Sequence, residues 1–257
     1  MMKPIHFVLL LVPVLFAVSC GGGTDTVPDD PETSRCKIER INLFSPELNM
    51  QIGVTVWLPG GYDESKTYPF LYLLHGYGDD NDSWNQKGNA STIINRYVKG
   101  GGVPMVVVMP NGLVSFYTGD FETYMHQTMM PEVEKRYHCN SKRAVAGLSM
   151  GGYGTLYHAL KYPEKFKYAY AMSPATDEGG FRILASLHDP SYYPPITIES
   201  GTQDYTVRIE GVRSCVDVLK QCGLNVDFIE RSGGHDWSFW PVCLEKALVK
   251  IGETFKK

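Results

Sequence analysis

Short runs dominated by apolar residues recur along the chain, at residues 37–43, 51–58, 70–74, 105–109, 143–147, 167–172, 196–200 and 226–230. Each has the length of a strand. Stretches with helical periodicity lie between the later runs, at residues 92–99, 121–137, 153–161, 207–222 and 237–255. The first strands follow one another directly, as a hairpin does, and the later ones alternate strictly with helices. This order predicts an α/β domain with a mainly parallel sheet, an antiparallel N-terminal part and helices on both faces. Such sheets carry their sites beyond the carboxyl ends of the strands.

Ahead of this domain the pattern changes. Residues 5–18 form an apolar run behind Lys3, ending at small residues and Cys20. That length fits the apolar region of a signal peptide, read here as residues 1–19, and falls short of the roughly 20 residues of a membrane span. Ala17-Val18-Ser19-Cys20 resembles a bacterial lipobox, with Ala17 where Leu is usual. It predicts lipidation at Cys20, export, and a chain held in the cell envelope by a lipid anchor alone. Residues 21–34 contain one apolar residue apart from Pro and Gly, too little to order a segment, so residues 20–35 read as a flexible tether. Residues 36–257 suffice for one α/β domain with a sizeable core.

The net charge of −4, without basic clusters, argues against a nucleic-acid partner. Cys36, Cys139, Cys215, Cys222 and Cys243 are an odd set. Cys215 and Cys222 stand roughly 10 Å apart along one predicted helix, beyond disulfide reach. Free thiols are expected. No metal constellation, phosphate loop or nucleotide fingerprint is present, so no cofactor or metal is called for.

The candidate chemistry centres on Gly147-Leu148-Ser149-Met150-Gly151, which follows the apolar Ala144-Val145-Ala146 and precedes a helical stretch. In a nucleophile elbow the chain reverses so tightly between strand and helix that the neighbours of the serine can carry almost no side chain. With 26 Gly in 257 residues such a pentapeptide arises by chance at odds of roughly one in six, and a serine-capped turn is the alternative. The remaining parts of the machine must decide.

A serine hydroxyl needs a base to take its proton, and the base needs a partner to fix its tautomer. Three histidines follow Ser149. They are His158, His188 and His235, of which His158 lies inside the helix that starts at the elbow. His235, in Gly233-Gly234-His235-Asp236-Trp237, occupies a glycine-rich loop between the last strand and the last helix, where the base belongs. Asp204 follows the strand at 196–200 and lies between serine and histidine in sequence, the order Ser, acid, His. Asp177, after the preceding strand, is its rival; Asp227 is inside a strand and Asp236 adjoins the base. An oxyanion hole would take one backbone amide from Met150 and a second, at Tyr77, from the turn His75-Gly76-Tyr77-Gly78.

Together with Tyr72-Leu73-Leu74-His75-Gly76, Asn81-Asp82-Ser83-Trp84, Val108-Met109-Pro110-Asn111, Gly201-Thr202-Gln203-Asp204, Gly234-His235-Asp236 and Trp240, this set resembles the "putative esterase" family. That family contains feruloyl and acetyl-xylan esterases of carbohydrate esterase family 1, esterase D and mycolyltransferases. The resemblance spans nearly all of residues 37–255. It implies an α/β-hydrolase fold, a serine esterase, and Ser149, Asp204 and His235 as nucleophile, acid and base. The Gly-Thr-x-Asp turn and the Gly-His-Asp loop are most similar to the xylan-associated feruloyl esterases, whereas Tyr77 and Asp79 replace smaller residues often seen after the His-Gly pair. The implied substrate is an acylated plant oligosaccharide or another small ester. A siderophore-type esterase, an acyltransferase and a catalytically silent glycan-binding lipoprotein are the alternatives. Tyr77, Trp84, Tyr117, Trp237 and Trp240 fall near the predicted active edge, although aromatics more often serve as core.

Overall fold

The computed structural model describes residues 35–257; the signal-peptide, lipidation and most of the tether readings, Cys20 included, lie outside them. Eight strands form one sheet: β1 (Lys37–Ser45), β2 (Met50–Leu58), β3 (Tyr68–Leu74), β4 (Val106–Pro110), β5 (Cys139–Leu148), β6 (Tyr168–Met172), β7 (Ile196–Gly201) and β8 (Val226–Arg231). Their spatial order is β1-β2-β4-β3-β5-β6-β7-β8. β1 and β2 form the hairpin expected, and β2 runs antiparallel to β4. All later neighbours are parallel. The helices are α1 (Ser83–Gln86), α2 (Ala90–Lys99), α3 (Asp120–Tyr124), α4 (Met130–Arg136), α5 (Met150–Lys161), α6 (Glu178–Ala185), α7 (Ile209–Gln221) and α8 (Trp240–Lys256).

Alternation along the central strands divides the interior into two cores. Phe70, Tyr72 and Leu74 of β3 face the cluster covered by α3 to α7, whereas Leu71 and Leu73 face the one covered by α1, α2 and α8. Both faces are therefore apolar, which is why β3, β4 and β6 are buried throughout.

The helix expected over 121–137 is divided into α3, a π-helical turn at Met125–Met129, and α4. Pro131 explains the wider turn. Its ring would strike the carbonyl four residues back in a regular α-helix, and it has no N–H to give. Helix α6 was not anticipated, because Gly179 and Gly180 interrupt its apolar pattern. The structure supplies a cap instead: the Asp177 carboxylate accepts the Gly180 amide at 2.9 Å. All five cysteines of the domain are free, Cys215 and Cys243 fully buried.

Candidate active site

At the end of β5 the chain enters α5 through Ser149, whose φ of 53° and ψ of −114° lie where side-chain-bearing residues are rarely found. Neighbouring backbone holds it there. The Ser149 amide donates to the Met172 carbonyl at 2.9 Å, and its carbonyl accepts the amides of Tyr153 at 2.9 Å and Ala175 at 3.1 Å. The flanking glycines are required by contact as well as by the turn. A Cβ on Gly147 would lie 2.5 Å from the Gly151 carbonyl oxygen, and one on Gly151 would lie 2.5 Å from that of Leu74 and 2.6 Å from that of His75.

The His235 ring comes to this serine from the loop after β8. Its Nε2 lies 2.9 Å from Ser149 Oγ and its Nδ1 lies 2.7 Å from Asp204 Oδ2. With Nδ1–H donated to the carboxylate, Nε2 is left as the acceptor for the serine proton. Asp204 follows β7 and is buried. Its Oδ1 accepts the amides of Thr206 at 3.0 Å and Val207 at 2.8 Å, so one oxygen is fixed by backbone and the other is turned to the ring. Asp177, the sequence rival, is occupied as the cap of α6. His158 is buried within α5 and bonded to His126 at 2.9 Å, away from Ser149.

Two devices hold the acid and base loops together that the sequence did not disclose. Gln203 accepts the Gly233 amide on its side chain at 2.6 Å and donates its own amide to the Gly233 carbonyl at 3.0 Å. A side chain on Gly201 would collide with that same carbonyl, so the β7 turn can be crossed only at glycine. Beneath the loop, Arg231 donates to Glu199 Oε1 and to the Phe239 carbonyl, both at 2.6 Å, with its guanidinium over the Phe239 ring. Glu199 is fully buried. Burial alone would raise its pKa, but Lys246, Tyr170 and Arg231 together hold the carboxyl below its ordinary range. Edge-to-face rings also brace the base: His235 on Trp240 at 5.1 Å, Trp240 on Trp237 at 5.2 Å, and Trp237 on Trp84 at 5.2 Å.

On the other side of Ser149 lies the turn after β3. A Cβ on Gly76 would sit 3.6 Å from Ser149 Cβ, which places the Gly76–Tyr77 backbone against the serine. His75 secures this turn. Its Nε2 accepts the Gly112 amide at 2.7 Å, so Nδ1 carries the proton and donates to the Gly76 carbonyl at 2.7 Å. Burial pushes its pKa down and keeps the ring neutral. The His75 amide donates to the Tyr117 hydroxyl at 2.9 Å. Among the described residues the amides of Tyr77 and Met150 have no backbone acceptor. Of the aromatics singled out in the sequence, Trp84, Tyr117 and Trp240 are core, whereas Tyr77 is 66% exposed.

A serine held on a strained turn, an imidazole on its oxygen, a buried carboxylate behind the ring and backbone amides beside it form an arrangement able to attack an acyl carbon. Residues 45–251 match the family described as "Putative esterase". The chain is 29% identical over 228 residues to an endo-1,4-beta-xylanase/feruloyl esterase of Xylanibacter ruminicola, covering 81% of this chain and 30% of that longer protein. It is 25% identical over 260 residues to an acetyl esterase of Caldicellulosiruptor saccharolyticus, covering 79% of this chain and 93% of that protein. A solved ferulic acid esterase superposes with a TM-score of 0.78 at 26% identity, over 86% of this chain and 99% of the other. The chain therefore belongs to this esterase family and is a carboxylic-ester hydrolase of the α/β-hydrolase fold.

Proposed function

We propose that this hydrolase acts through an acyl-enzyme on Ser149 and releases feruloyl, acetyl or related acyl groups from plant cell-wall polysaccharide such as xylan. The hydrogen-bonded chain from Ser149 Oγ through His235 to Asp204 carries the mechanistic part. His235 Nε2 takes the serine proton as Oγ attacks the ester carbonyl. The oxyanion is received by the amides of Met150 and Tyr77, each worth about 3 to 4 kcal/mol at comparable sites. The imidazolium, stabilised by Asp204, then gives its proton to the leaving alcohol. Water deacylates the serine by the reverse path, with His235 again as base. The substrate part rests on the names of the relatives, a xylanase/feruloyl esterase, an acetyl esterase and a ferulic acid esterase.

The test is turnover of an aryl acetate and of methyl ferulate by the wild-type chain and Ser149→Ala. The expected loss is on the order of 10⁴-fold; equal rates would refute the nucleophile. A panel of feruloylated, acetylated and siderophore esters then ranks substrates, and a siderophore ester hydrolysed best would overturn the plant-polysaccharide reading. We also propose envelope attachment through lipidated Cys20. It is checked by metabolic labelling with a fatty acid, which Cys20→Ala would abolish.

A further inference from the structure

The loop between β4 and α3 is strained on the side facing the site. Leu113, Phe116 and Tyr117 have φ of 53°, 52° and 59°. Three side-chain-bearing residues in the left-handed region of one short loop are costly, and such clusters gather at functional sites. The strain is held by packing below. The Tyr117 ring is buried, its hydroxyl is bonded to the His75 backbone, and a Cβ on Gly154 would lie 2.7 Å from Tyr117 Cδ2. Ser115 Oγ donates to the Gly112 carbonyl at 2.6 Å and accepts the Tyr117 amide at 3.0 Å. This inward anchorage of Tyr117 leaves Phe116 turned outward, 37% exposed.

Phe116 is not alone there. Its ring centroid lies 6.3 Å from that of Tyr77 and 5.6 Å from that of Tyr153, the latter edge-to-face at 88°. Tyr77 flanks the turn against Ser149, and Tyr153 is one helical turn beyond Ser149 on α5. Phe181 backs Tyr153 at 5.1 Å. The three rings thus form a continuous ledge beside the serine.

The side of the serine decides what the ledge touches. His235 must protonate the leaving alcohol, so the alcohol lies on the His235 side, whose aromatic neighbour Trp237 packs on the α8 face of the sheet. Tyr153 packs on the opposite face. With the carbonyl oxygen at the Met150 and Tyr77 amides, the acyl substituent is directed away from His235. We infer that Tyr77, Phe116 and Tyr153 form the acyl-binding ledge and select acyl groups bearing a planar ring, the hydroxycinnamoyl class, over acetyl.

This inference rests on the acyl-enzyme reading, and the experiment separates the two. Methyl ferulate and methyl acetate share one leaving group, so the ratio of their kcat/KM values reports the acyl side alone. Phe116→Ala should lower that ratio about tenfold, consistent with the loss of one aromatic face, and Phe116→Tyr should restore it. Stoichiometric labelling of Ser149 by a fluorophosphonate in each variant shows that the site is folded. An unchanged ratio in Phe116→Ala would overturn the ledge, as would a loss seen only with a feruloylated arabino-oligosaccharide, which would assign these rings to the leaving sugar. A wild-type chain that hydrolyses methyl acetate but not methyl ferulate would overturn the ledge and leave the Ser149 mechanism standing. Full turnover in Ser149→Ala would instead remove the mechanism itself.

Discussion

Asp204→Asn isolates the tautomer of the base. Asp204 Oδ1 is bound by the amides of Thr206 and Val207, both donors. In the variant the side-chain carbonyl must keep that position, because an amide NH₂ there would face two N–H groups. The NH₂ is therefore turned toward His235 Nδ1, now 2.7 Å away from a donor instead of an acceptor. Nδ1 must then be the unprotonated nitrogen, and the ring proton moves to Nε2, facing Ser149 Oγ. A protonated Nε2 cannot accept the serine proton. The equivalent loss in a serine-histidine-aspartate triad is about 10⁴ in kcat, or roughly 5.5 kcal/mol of transition-state stabilisation.

Because the backbone amides keep their acceptor, the loop should stay folded and the melting temperature should change little. KM should also stay near the wild-type value, since Asp204 does not reach the substrate. Steady-state hydrolysis of an aryl acetate at pH 7, with thermal melts on the same samples, measures both. A kcat within tenfold of wild type would refute the assignment of the acid, most directly if Asp177→Asn were the variant that lost activity.

Other outcomes follow from the same geometry. Gly151→Ala puts a Cβ 2.5 Å from the Leu74 carbonyl oxygen, so the turn after β3 must move; kcat/KM should fall at least a hundredfold, and unchanged kinetics would show that the contact is dispensable. Arg231→Met leaves buried Glu199 with Lys246 and Tyr170 only and should cost about 3 kcal/mol in urea denaturation; an unshifted midpoint would contradict it. Burial holds the His158 pKa down to about 4, against an ordinary value of 6.5. Between these values the unfolded chain binds the extra proton. The contribution of this group should therefore be complete above pH 6.5 and be lost toward pH 4, so His158→Gln should reduce the fall in stability between pH 7 and pH 5 in denaturant titrations.

The eight strands were legible because each is a short apolar run between turn residues, and none is displaced by more than a few residues from its sequence position. Their order was not, because the exchange that places β4 between β2 and β3 is decided by packing between segments far apart in sequence. α6 was hidden by two glycines although its capping Asp177 is plainly visible, and that same aspartate, read as a rival acid, shows how one residue type serves both turns and catalysis. Ser149, His235 and Asp204 could be grouped as candidates because each follows a strand, which converts sequence position into spatial position, and the fold joins the three side chains by hydrogen bonds. Gln203, Arg231 and Phe116 follow no such rule. Their contacts depend on which loop lies opposite, and only the folded chain states that.

The glycines of the elbow bear on this difference. A tight turn alone would require little space at Gly151, which already lies in the first turn of α5, yet a Cβ there would meet the carbonyls of Leu74 and His75. The second glycine therefore serves the contact between the start of α5 and the end of β3, which lies against the turn that carries Gly76 and Tyr77. Gly201 does the same on the opposite side, where the Gly233 carbonyl crosses it and the acid loop meets the base loop. Each glycine marks a seam between segments distant in sequence, and the serine sits where the two seams converge. The pentapeptide thus records the closeness of its neighbours more directly than the shape of its own turn, and the chemistry of Ser149 depends on partners that the motif requires but does not name.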